Sequence, residues 1–124
     1  GTDVTIVALG GMVPRALTAA ETLAQEGISA EVLDPRTLVP LDKEAILKSV
    51  AKTGRLVVVD MAHKTCSAAS EIAAIVAMEG FWDLQAPIQR LAAPNVHIPF
   101  SPALEPLCYP TDETIAEAVR TTLA

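Results

Sequence analysis

A chain of 124 residues with 51% apolar side chains is long enough to bury a core of its own and too apolar to stay disordered. A net charge of −6 repels phosphate backbones, and aromatics at 3% leave little for base stacking, so nucleic acid is not an expected partner. No apolar run approaches the roughly 18 residues of a membrane span, and Gly1-Thr2-Asp3 leads straight into a strand pattern. The expectation is a single cytoplasmic domain over residues 1–124 with no membrane contact. The two cysteines, Cys66 and Cys108, lack metal-ligand spacing and are expected to be free thiols.

The apolar run Val4 to Leu9, ended by Gly10-Gly11, reads as a strand buried on both faces. Pro14 sits near the first helical position of the next element. Leu17, Ala20, Leu23 and Ala24 keep helical spacing, and Gly27 is a stop. Ile28 to Leu33 is a second strand, broken by Asp34-Pro35, with an irregular loop through Pro40. Asp42 caps a helix whose apolar face is Ile46, Leu47 and Val50 and which Gly54 ends. Leu56 to Val59 is the clearest buried strand, closed by Asp60. A polar loop, His63 to Cys66, opens a helix with an apolar stripe of Ala69, Ile72, Ala73 and Val76. Ile88 to Ala92 is a fourth strand. Five prolines between Pro94 and Pro110 predict an extended, ordered surface segment. Thr111 caps the last helix, with Asp112 and Glu113 in its first turn and Ile115, Ala118, Val119 and Leu123 on its buried face. Strands alternating with helices predict right-handed crossovers and a mainly parallel sheet covered on both sides.

Few constellations suggest chemistry. Gly10-Gly11 before a helix would suit an anion, but the full phosphate-loop patterns are absent and a tight strand-to-helix turn is the plainer reading. His63, Lys64, Cys66, Ser67, Ser70 and Glu71 follow the strongest strand, where open α/β sheets bind ligands. A Cys66–His63 dyad is one reading. The plainer one has His63 and Lys64 in a solvated loop, Cys66 as a small buried hydrophobe, and Ser67 or Thr65 as a cap. Asp60 and His97 would pair only if the fold joined them. Arg36 and Arg90 are either carboxylate ligands or members of structural ion pairs. The proline-rich segment, with Phe100 in it, either docks a neighbour or wraps its own domain.

Several stretches together resemble one family. These are Gly1 to Val7, Gly11-Met12-Val13, Val32 to Asp42 with its Asp-Pro-Arg-Thr-Leu-x-Pro-Leu-Asp string, Val57 to Asp60, Glu71-Ile72-Ala73, Ala86-Pro87-Ile88 and Ile98 to Pro102. They resemble the transketolase C-terminal domain of the β subunit of pyruvate, branched-chain or acetoin dehydrogenase E1 components. The resemblance implies a three-layer α/β/α fold with a five-stranded, mostly parallel mixed sheet whose antiparallel edge strand would lie near Val96 to Ile98. It implies a parent enzyme that uses thiamine diphosphate and magnesium, with those sites in other domains. No catalytic, cofactor or metal residue is then expected in this chain. The implied role is assembly with an α subunit and a second β subunit, and docking of the acyltransferase's subunit-binding domain. In isolation a homodimer is expected. The residues offered for these contacts are Phe100, Leu104, Tyr109, Asp112, Glu113 and Glu117. Met61 and Met78 stand where the family pattern favours acids, which keeps open an alternative: an engineered version with an altered surface for binding or phasing. By strand and helix direction the two should lie at opposite edges of the sheet.

Overall fold

The computed structural model describes residues 1–124 as four βα units. Strand β1 (Val4–Ala8) feeds helix α1 (Met12–Gln25), and β2 (Ala30–Leu33) feeds α2 (Lys43–Thr53). Then come β3 (Leu56–His63), α3 (Ala68–Glu79), β4 (Gln89–Ala93) and α4 (Asp112–Leu123). The sheet order is β2-β1-β3-β4, and every pairing is parallel. Successive side chains of a strand point to opposite faces. Val4, Ile6 and Ala8 therefore pack with Val57 and Val59 under α1 and α4. Val7, Leu56 and Val58 pack under α2 and α3. Three layers result, as the resemblance implied.

The expected fifth, antiparallel strand near Val96 to Ile98 does not form. The Val96 amide bonds back to the Pro94 carbonyl at 2.8 Å, and the Val96 carbonyl accepts from His63 Nε2 at 2.8 Å. Pro94 and Pro99 supply no amide donor at all, so too little backbone is left for a ladder with β4.

The cap assignments stand. Asp42 accepts the Ala45 amide at 3.0 Å, Ser67 that of Ser70 at 3.3 Å, and Thr111 that of Thr114 at 3.2 Å. The phase of α1 differs from the spacing argument. Its cap is Gly11, so Met12, Ala16, Ala19 and Leu23 form the buried stripe and Leu17 faces solvent. Asp60 does not close β3, which runs on to His63 through an irregular register after Val59. Beyond α3, Phe81 and Trp82 sit in a short 3-10 turn with their rings edge to face at 5.2 Å, both exposed.

One polar seam crosses the sheet–helix boundary. Thr5, on the α2 side of β1, bonds Ser49 at 2.7 Å and Thr53 at 2.8 Å. Ser49 in turn donates to Glu31 at 2.7 Å, and Lys52 pairs with the same carboxylate. The lysine first, then the serine, hold the Glu31 carboxyl down from an ordinary value of 4.5 to about 2.

Candidate functional site

The chain leaves β1 toward β2 on one side, then crosses back to lay β3 on the other side of β1. Loops at the carboxyl ends of β1 and β3 thus diverge and open a crevice, the place where such sheets receive ligands. Here it measures about 850 Å³. Leu9, Gly10 and Gly11 after β1, Asp34 to Arg36 and Leu38 after β2, Asp60 to Ala62 in β3, and Cys66 to Ala68 at the start of α3 form its wall. The approach is close: a side-chain carbon on Gly11 would sit 2.9 Å from Met61 Sδ. Gly10 turns the chain at φ +53°, a conformation that glycine adopts without strain.

The polar groups of the wall carry mixed charge. Asp60 is buried and accepts the Ala62 amide at 3.1 Å. Arg36, at φ +61°, pairs with Asp34 across 3.6 Å. A diphosphate does not fit this set. Two carboxylates face it, and the first amides of α1 turn inward, Met12 to the Leu9 carbonyl at 3.0 Å and Val13 to Gly10 at 3.1 Å. The Gly10-Gly11 pair is thus a tight turn, and thiamine diphosphate has no cradle in this crevice.

The other candidates separate. Of the cluster after β3, only Cys66 and Ser67 reach the crevice. Cys66 is exposed at φ +57°, so it is not the buried hydrophobe of the plainer sequence reading. Both cysteines are free thiols. His63 belongs to β3 and holds the Val96 carbonyl, a task apart from Cys66. Arg90 fastens β4 to the loop, donating to the Lys64 carbonyl at 2.7 Å and to Ser70. His97 is exposed in the segment after β4, outside the crevice wall that holds Asp60. Met61 lines the crevice, while Met78 stands exposed in the last turn of α3. The two methionines occupy opposite edges, as strand and helix direction require.

The proline-rich segment wraps its own domain at its ends and leaves its middle uncovered. Its ends are tied to the domain: Asn95 Nδ2 donates to Thr65 at 2.7 Å, and Arg15 donates to the Pro110 carbonyl. Its middle stands in solvent, with Phe100 at 99% exposure and Leu104 and Leu107 also exposed. Tyr109 is half-buried and donates to Glu105 at 3.3 Å. That enclosure, together with the Glu105 charge, raises its phenol above the ordinary range. Asp112, Glu113 and Glu117 are exposed on α4. Two of them are engaged: Arg120 Nη1 lies 3.1 Å from Glu113 and 3.2 Å from Glu117, and the same guanidinium grips Glu26. Asp112 alone of the three makes no ion pair. The sequence passed over Asp34, Leu38 and Met61 as wall residues. The signal for them was available, since each closely follows or ends a parallel strand.

Residues 1–115 match the family model described as "Transketolase, C-terminal domain". The chain belongs to the transketolase C-terminal domain family. It is 52% identical over 115 residues to the β subunit of acetoin:2,6-dichlorophenolindophenol oxidoreductase of Bacillus subtilis, covering 93% of this chain and 34% of that one. It is 50% identical over 125 residues to the pyruvate dehydrogenase E1 component β subunit of Leifsonia xyli, covering 100% and 36%. The fold is also similar to a solved split-gene transketolase, an inactive β4 tetramer, with a TM-score of 0.84, 33% identity, and coverage of 99% and 39%. The chain spans about a third of the length of the curated relatives it matches.

Proposed function

We propose that this chain is a non-catalytic assembly domain of the β subunit of a cytoplasmic, thiamine diphosphate-dependent dehydrogenase acting on a 2-oxo acid or acetoin. In this reading the cofactor and magnesium are held elsewhere in the parent enzyme. The domain packs against an α subunit and a second β subunit, and it offers a surface to the subunit-binding domain of the acyltransferase. One observation carries the reading. The Pro94–Pro110 segment is anchored at both ends, yet it holds Phe100, Leu104 and Leu107 in water. Apolar side chains fixed in solvent on an ordered support are typical of contact surfaces. Asp112, Glu113 and Glu117 supply acidic character nearby in sequence, with Arg120 offsetting part of it.

The similar solved split-gene transketolase, an inactive β4 tetramer, supports self-association of such chains. Sedimentation of the isolated chain tests this. A symmetric dimer is expected, reduced to monomer by Phe100→Ser with Leu107→Ser. A wild-type chain that stays monomeric at high concentration would count against this surface.

A further inference from the structure

The crevice contains one buried charge that nothing in the chain answers. Asp60 is 8% exposed. Its Oδ1 accepts the Ala62 amide, and its Oδ2 accepts from no group of this chain. No wholly occluded side-chain oxygen or nitrogen lacks a partner, so Oδ2 is reached from outside, through the crevice whose wall Asp60 forms. The wall has no lysine, and its one arginine is Arg36. That guanidinium is turned to Asp34, and its side chain is 85% exposed. Buried carboxylates in finished structures are met by a counter-charge or by donors.

The rest of the wall defines the shape of what is missing. Leu9, Pro35, Leu38, Met61 and Ala62 are apolar and line the same crevice as Asp60. A wall with apolar stretches beside an unpaired acid suits a long alkyl stem with a cationic tip. The chain's net charge of −6 favours a cation at long range as well. A free amino acid or similar metabolite would also bring an acid group. The single cation of the wall, Arg36, is already paired with Asp34.

We propose that the crevice is a socket for a lysine or arginine side chain presented by another chain of the assembly. The incoming ammonium or guanidinium donates to Asp60 Oδ2, and its alkyl stem lies along Leu38 and Met61. The proposal rests on the assembly reading only in taking the donor from a neighbouring chain. The socket chemistry and the Pro94–Pro110 surface are tested separately, so one can fail without the other.

The probe is N-acetyl-arginine methylamide, compared with N-acetyl-citrulline methylamide, which has nearly the same shape and no charge. Each is titrated into the 124-residue chain, and the methyl resonances of Leu38 and Met61 are followed. The arginine probe is expected to move both in a saturable way, and the citrulline probe to bind weaker by about tenfold or more. Asp60→Asn should abolish the difference while its amide spectrum stays native. The comparison of probes on the wild-type chain needs no variant, so it stands even if Asp60→Asn fails to fold. Equal response to both probes would overturn the proposal. So would an unchanged preference in a folded Asp60→Asn chain, or a response to free arginine with none to the capped form, which would mark a metabolite site instead.

Discussion

Glu31 shows how one side chain can couple a sheet edge to a helix. Its carboxylate takes a bond from Ser49 and pairs with Lys52, and its ordinary value of 4.5 falls to about 2 as a result. A carboxyl lowered by folding stabilises the native state above its unfolded value, and that contribution disappears as pH falls through the folded one. For Glu31 the window runs from 4.5 down to about 2. Glu31→Gln should therefore lower stability at neutral pH by about 1 kcal/mol, the size of a hydrogen bond to a partly exposed charge. Below the window the difference between mutant and wild type should close. Urea denaturation across the acid range measures it, and parallel curves for the two proteins would reject the assignment. At Gly11 the expected response is local. Gly11→Ala pushes against Met61 Sδ, the far end of a flexible side chain, so it should reshape the crevice with little loss of stability.

At the scale of elements, helix α3 begins on a side-chain cap. Ser67 caps it, and the preceding Cys66 holds a left-handed backbone, φ +57°. Ser67→Ala should cost about 1 kcal/mol, with faster amide exchange confined to the first turn of α3. Exchange rates unchanged there would show the cap to be idle. The elements that the sequence made legible are those with unambiguous chemistry. Val57, Val58 and Val59 can only be a buried strand. Asp42, Ser67 and Thr111 stand where an oxygen must meet free amides. The misread elements have two sound local interpretations. Leu17, Ala20 and Ala24 fit a helical stripe with Leu23 as well as Ala16 and Ala19 do, until Gly11 fixes where the helix begins. Val96 to Ile98 has strand-like side chains, but His63 takes the carbonyl that a ladder would need, and His63 is 33 residues away from Val96. The crevice was the least legible part. Its wall comes from four separate stretches, and only the strand order brings Asp34, Asp60 and Cys66 to one place.

At the scale of the whole molecule, both faces of the sheet are closed by helices, and the crevice lies at one end. Its mixed charge and inward-turned α1 amides set a clear expectation for the cofactor of the proposed parent. Calorimetric titration of this chain with thiamine diphosphate and magnesium should give no binding heat. Micromolar affinity would overturn the division of labour between this domain and the rest of its subunit. The exposed middle of the proline-rich segment and the open Asp60 oxygen lie on different parts of the molecule. A chain serving in a larger assembly can therefore be tested at each contact alone.

Trp82 has a practical consequence for all of these measurements. It is the single tryptophan in the chain, and it is 93% exposed, stacked edge-on against Phe81 beyond the end of α3. Its indole already emits from water in the native state. Heating or urea should therefore change its emission maximum very little while the circular dichroism signal collapses, and a melt followed by intrinsic fluorescence alone would miss the transition. The same placement makes Trp82 a ready optical probe of that end of the molecule. A shift of its emission to shorter wavelength on mixing with another chain would report a neighbour settling over α3, with no label attached.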